Sequence, residues 1–178
     1  MTFVREGENR DVLYFDEGRF GLHSETGKRW GKVGEVLSSP VAPRYQNFYA
    51  YSAVSPWTGQ SFSLFLPNVN TSMMNVYLAE LSRAYKDQEI LLIWDGAGWH
   101  RSRELEIPAN LRIHFLPPYS PELNPVEKLW WWIRRHVCRN KLFRTLEELM
   151  AALEAAFRNM TPEWLVQVCR CSYISFIN

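Results

Sequence analysis

With 178 residues the chain is long enough for one well-packed domain and short for two. Its 47% hydrophobic and 22% charged residues are ordinary for a globular protein, 15% aromatic content with eight Trp is high, and a formal charge of +1 is no nucleic-acid signature in itself. No apolar run approaches the roughly 18 residues that a membrane span requires, and Met1 to Arg10 is polar where a signal sequence would be apolar, so the expectation is a soluble, cytoplasmic protein without a membrane partner.

In chain order, Val12 to Phe15 is a short β-rich run, and the segment onward to Val36 alternates around Gly18, Gly21, Gly27, Gly31 and Gly34 as hairpin strands would. Phe48 to Ser55 and Ser61 to Leu66 flank Pro56-Trp57-Thr58-Gly59-Gln60 and read as a second hairpin pair, making the first third an antiparallel meander. Thr71 or Ser72 then caps a helix on which Met74, Tyr77, Leu78, Leu81 and Tyr85 recur at helical spacing. Ile90 to Trp94 and Leu111 to Leu116 read as buried strands, and a helix lying between strands favours a crossover with parallel pairing.

Two helices close the pattern. Asn124-Pro125-Val126-Glu127 opens one, with Val126, Leu129, Trp130, Ile133 and Val137 as its apolar stripe. Thr145 to Glu148 opens the other as a capping box, with Leu149, Leu153, Ala156, Phe157 and Met160 on its inner face, and a last short helix starts at Thr161-Pro162. The sum is a single α/β (α+β) domain over residues 1–178, with a mixed sheet and flanking helices. Cys138, Cys169 and Cys171 are an odd set without a disulfide framework; with His136 they are spaced too tightly for a usual zinc quartet, so reduced, buried thiols are expected.

Three acids carry the candidate chemistry. Asp16 ends Val12-Leu13-Tyr14-Phe15, Asp95 ends Ile90-Leu91-Leu92-Ile93-Trp94, and Glu127 stands in the first turn of a helix behind the proline-braced loop Leu116 to Asn124. Carboxylates at the ends of rigid elements suit hard divalent cations, which take oxygen ligands and leave room for water and phosphate oxygens. Each acid also has a bland role. Asp95-Gly96 is a turn dipeptide, although Gly96 and Gly98 would also let the backbone pass close to a ligand. Glu127 sits where it could bond back to an Asn124 cap. Asp16 and its neighbour Glu17 fall on opposite faces if the strand continues, so either could face a site. His100, just after the Asp95 turn, is read as a satisfied structural histidine, with touching a phosphate or orienting a ligand as the alternatives. From Lys128 to Arg144 there are six Lys or Arg and no acid, a run that suits either a phosphate backbone or a solvated helix face.

The segments YFDEGRFGL (Tyr14 to Leu22), LLIWDGAGWHRS (Leu91 to Ser102) and LPPYSPELNPVEKLW (Leu116 to Trp130) resemble, in order, the catalytic core of DDE transposases of the IS630/Tc1/mariner superfamily. The likeness covers nearly the whole chain, and its third block is the most specific. Thirty-one residues separate Asp95 from Glu127, close to the gap of that family. The resemblance implies a ribonuclease H-like fold and a catalytic, metal-binding triad of Asp16, Asp95 and Glu127 holding two Mg²⁺ or Mn²⁺ ions. It picks Asp16 over Glu17, leaving Glu17 and Arg19 as ion-pair or supporting residues. Arg101, Lys128, Arg134, Arg135 and Arg139 are the candidates for gripping DNA. Gly96 stands where many relatives have Asn.

Family members usually carry helix-turn-helix modules ahead of the core, whereas this chain starts a few residues before its first strand. The resemblance thus leaves three expectations open, the catalytic half of a split element with a separate helix-turn-helix partner chain, a fragment, or a relic, and it suggests a homodimer formed on DNA and action at the nucleoid in a bacterium. The expected activity is cleavage of DNA phosphodiester bonds at transposon ends and joining of the 3′-hydroxyl to target DNA. Two other readings remain beside it: a non-catalytic or domesticated DNA-binding or assembly module, and a ribonuclease H-like nuclease without strand transfer.

Overall fold

The computed structural model describes residues 10–22 and 46–171. Within them a five-stranded sheet runs in the order β3-β2-β1-β4-β5, built from β1 (Arg10–Gly21), β2 (Asn47–Val54), β3 (Ser61–Leu66), β4 (Glu89–Trp94) and β5 (Leu111–Phe115). β1, β2 and β3 pair antiparallel, while β4 and β5 join β1 in parallel. The mixed sheet, the second hairpin and the parallel crossover follow the sequence expectation. The hairpin strands expected between His23 and Val36 lie outside the described residues.

α1 (Thr71–Ala84) makes the crossover from the antiparallel half to β4. Its cap is Asn70 and not Thr71 or Ser72: the Asn70 side chain accepts from Met73 N–H at 2.9 Å, so the turn begins one residue earlier. Met74, Tyr77, Leu78 and Leu81 are buried on one sheet face against Leu13, Phe15, Tyr51, Ile90, Leu92 and Trp94. The opposite face carries Phe20, Leu22, Phe48 and Val54 under α2 (Val126–Ile133), α3 (Leu146–Arg158) and α4 (Pro162–Cys169). Val126, Leu129, Trp130, Ile133 and Val137 are all buried there, the stripe read from spacing. After Ile133 the helix widens into a π turn, Arg134–Cys138. Thr145 caps α3 and Thr161 caps α4 through their side-chain oxygens.

Alternation along β1 assigns its residues to the two layers. Leu13 and Phe15 enter the α1 core, and Phe20 and Leu22 enter the α2–α4 core. A Cβ on Gly18 would come within 2.8 Å of the Trp130 ring, so the missing side chain lets the α2 indole lie flat on the strand. Gly59 turns the β2–β3 hairpin at φ +71°, against Pro162 at the start of α4.

Two expectations are corrected. Asp16 does not end a strand; it lies in the middle of β1, paired with Ser52. The parallel ladder to β4 stops at Tyr14–Ile93, but the antiparallel ladder to β2 carries β1 on to Gly21. β5 is an exposed edge, with only Leu111 buried; nothing pairs on its outer side to cover Arg112, His114 and Phe115 among the described residues. No helix of the described residues is long and apolar enough to cross a membrane.

Candidate active site at the ends of the parallel strands

β1 and β4 run side by side in parallel, and extending their register two residues past Tyr14–Ile93 brings Asp16 level with Asp95. This is the carboxyl end of β4, the position where open α/β sheets place their ligands. Asp16 remains in β1 and so is held by β2, whereas Asp95 has left the sheet and lies on an exposed turn.

The third acid is brought to the same end by one buried side chain. Asn124 donates through Nδ2 to the Phe15 carbonyl at 2.9 Å and accepts from Val126 N–H at 3.2 Å. It thus ties the start of α2 to the β1 backbone one residue before Asp16, and Glu127 follows in the first helical turn. The Asn124 N–H donates to Pro121 O, so the return bond expected of a Glu127 cap has no role here. The loop before it holds Tyr119 at φ +56° with its side chain fully exposed. From α2, Trp130 Nε1 donates to Asp16 Oδ2 at 2.9 Å.

The charges follow this geometry. Burial pushes Asp16 up to about 8, and the neighbouring carboxylates of Glu127 and Glu17 add to the rise against the hydrogen bond from Trp130. The charge of Glu127 thus bears on Asp16 and disfavours its ionised form. Asp95 is the opposite case: its hydrogen bond from His100 holds the carboxyl below its ordinary range. His100 is buried, with Nδ1 2.7 Å from Asp95 Oδ1 and Nε2 3.0 Å from Glu17 Oε1. Burial is the largest single influence on this imidazole and opposes its charge. The bonds and charges of Asp95 and Glu17 together outweigh it, lifting the group to about 9.

The donor set has the chemistry of a hard-cation site. All three proposed ligands are carboxylates, and a divalent cation beside Asp16 would favour its ionised form against the burial and the neighbouring carboxylates that raise it. Among the described residues, no three His, Cys, Asp or Glu side chains already form a ready-made metal cage. Glu127 acts electrostatically on Asp16, whereas Asp95, just past the end of β4, is bonded to His100.

The cationic candidates divide. Arg101 is exposed, lies over the Phe115 ring at 5.2 Å, and rests against Gly96, where a Cβ would meet it at 2.6 Å. The bare Gly96 backbone thus accommodates an arginine of the same chain. Arg135 is exposed over Trp131, itself 59% exposed and one turn beyond Glu127. Lys128 Nζ donates to the Arg170 carbonyl, Arg134 packs over Phe20 at 5.5 Å, and Arg139 is half-buried. Arg19 is exposed on β1. Sequence reasoning gave Asn124 and Trp130 only capping and packing roles. The Asn-Pro before an acidic helix start signals a cap, but neither residue's bond to β1 has a local signature.

Comparison with known proteins places the chain in a family. The chain belongs to the DDE superfamily endonucleases, whose family model matches residues 11–150. "Uncharacterized protein y4pE/y4sA" of Sinorhizobium fredii is 37% identical over 116 residues, 65% of this chain and 86% of that protein. The insertion element IS630 39 kDa protein of Shigella sonnei is 24% identical over 156 residues, 85% of this chain and 46% of that protein. Among solved structures, the Mos1 mariner paired end complex with Mn superposes with a TM-score of 0.70 at 17% identity, covering 89% of this chain and 51% of the Mos1 chain. The fold is thus the ribonuclease H-like one that the resemblance implied. The chain spans about half the length of the IS630 and Mos1 proteins.

Proposed function

We propose that the chain is the catalytic domain of an insertion-sequence transposase, a DNA polynucleotidyl transferase. It would cut phosphodiester bonds at transposon ends and join the 3′-hydroxyl to target DNA. The observation that supports this reading is the electrostatic influence of Glu127 on Asp16, with Asp95 level with Asp16 when the β1–β4 register is extended, in a chain of the DDE superfamily. Asp16, Asp95 and Glu127 are the ligands for two Mg²⁺ or Mn²⁺ ions; the Mos1 complex with Mn is a precedent of the same fold. When bound, such ions supply Lewis-acid activation of a water or 3′-hydroxyl and stabilise the departing oxygen.

The chain's own groups do the positioning. Trp130 fixes the Asp16 carboxylate by its Oδ2, and Asn124 fixes the helix start that presents Glu127. Arg101, exposed against Gly96 next to Asp95, and Arg135, exposed over Trp131, meet the phosphate backbone and offset charge that spreads over phosphate oxygens in the transition state. Lys128, Arg134 and Arg139 extend that cationic surface along α2 and its π turn. The domain acts in the cytoplasm, at the nucleoid in a bacterium, as a dimer on DNA, with end recognition supplied by a helix-turn-helix partner or segment.

The test is nicking of a labelled duplex in Mg²⁺ or Mn²⁺ by the native chain, Asp95→Asn and Glu127→Gln, followed by joining of a labelled 3′ end to plasmid. Metal-dependent nicking and joining, lost at least 100-fold in both variants, is the expected result. Nicking that survives both substitutions contradicts the site, and nicking without joining identifies a nuclease instead.

A further inference from the structure

Behind Asp95 stands a second carboxylate that the proposed reaction does not use. Glu17 points to the α1 side of β1, opposite to Asp16, and its side chain is only 7% exposed. Its Oε1 accepts from Trp99 Nε1 at 3.0 Å and from His100 Nε2 at 3.0 Å. The His100 imidazole is stacked flat on the buried Trp94 indole, at 4.6 Å and 6° between planes, with Phe15 and Trp99 edge-on at 5.8 and 5.7 Å. On its far side Nδ1 reaches Asp95 Oδ1 at 2.7 Å and the Asp95 carbonyl at 3.2 Å, while Ala97 N–H donates to the same Oδ1 at 3.1 Å. Asp95 Oδ1 thus takes two hydrogen bonds. Asp95 Oδ2 has no hydrogen-bond partner among the described residues.

We infer that Glu17 and His100 are positioning residues that fix the Asp95 carboxylate in one rotamer, committing Oδ1 to the protein and leaving Oδ2 as the single oxygen offered to a divalent cation. Asp95 needs such support more than Asp16 does. Asp16 is held by strand pairing on β1, but Asp95 is on a turn, 58% exposed at its side chain, and would otherwise rotate freely. The imidazole is boxed by aromatic rings, so it transmits the fixed position of a strand residue to a loop residue 78 positions later in the chain. Outer carboxylates and carbonyls that orient a ligand commonly carry a 10- to 100-fold share of metal affinity.

This inference rests on the proposed metal-dependent site, and its test separates the two. Mn²⁺ affinity is measured on the full chain by the loss of the free-ion electron paramagnetic resonance signal, for native, Asp95→Asn, Glu17→Gln and His100→Gln, each also melted to report stability. The expected result is Mn²⁺ binding by the native chain, its loss in Asp95→Asn, and a roughly 10-fold or greater weakening in Glu17→Gln. His100→Gln weakens it likewise. Native-like Mn²⁺ affinity in Glu17→Gln, whether or not its melting temperature falls, overturns the relay and leaves the metal site standing. No Mn²⁺ binding by the native chain, or unchanged binding in Asp95→Asn, overturns the Asp95 ligand assignment, and the relay with it. Because Glu17→Gln keeps the shape of a side chain at the rim of the core, the test stands even if His100→Gln fails to fold.

Discussion

Trp130 is at once a core residue and part of the site. Its ring is buried under Gly18 and Phe20, and its one polar atom donates to Asp16. Trp130→Phe keeps most of the ring and removes that hydrogen bond. A hydrogen bond to Asp16 ionised by a bound cation contributes about 1.5–3 kcal/mol, so metal-dependent nicking by the variant should slow by about 10- to 100-fold while the fold is retained. A single-turnover rate equal to that of the native chain would mean that Asp16 needs no such orientation. The residue scale is also where sequence reading stopped short. It placed Asp16 and Glu17 on opposite faces, and the structure does so, but the partner of Glu17 is His100, 83 residues away. No periodicity or turn signal encodes a contact between a strand residue and a distant loop.

At the scale of elements, the apolar spacing of α1, α2 and α3 was legible because helix burial repeats in the chain itself. The strand limits were less so. A run of four apolar residues ends at Phe15, yet β1 continues to Gly21, because β2 pairs with it where β4 no longer does. The extended strand matters to the site: it gives Asp16 a rigid backbone while Asp95, at the equivalent level of β4, sits on a turn. Asn124 joins the two halves of this arrangement. Removing its side chain in Asn124→Ala leaves the Phe15 carbonyl and the Val126 N–H without their buried partner. The cost of leaving such groups unsatisfied is about 1–3 kcal/mol each. The variant should melt several degrees lower and lose activity beyond what its folded fraction explains. A lower melting temperature with full activity per folded molecule would show that α2 finds its place without the tie.

For the whole molecule, the two cores on opposite faces of one sheet account for the richness in aromatic residues. Trp94 and Trp130 are buried on opposite sides, whereas Trp99 and Trp131 are partly exposed near the acids. The net charge of +1 conceals an uneven distribution, with no acid among the six Lys and Arg from Lys128 to Arg144 and with Arg101 and Arg135 exposed. DNA binding should therefore be weak and steeply salt-dependent, and Arg135→Ala should lower the slope of log K against log salt by about one. Titration of a fluorescent duplex at several salt concentrations reads this directly; a slope unchanged by the substitution would remove Arg135 from the interface. The sequence motifs were sufficient to name the family and the fold and to single out three candidate acids. What they could not supply was the asymmetry among those acids, which arises from packing across the sheet.

Anomalous diffraction from crystals grown in Mn²⁺ tests the central claim most directly, because it locates the metal without relying on turnover. Strong anomalous density is expected between the carboxylates of Asp16, Asp95 and Glu127, with Asp95 bound through one oxygen and Mn–O distances of roughly 2.0–2.3 Å. Density elsewhere, or none between these residues at millimolar Mn²⁺, would contradict it.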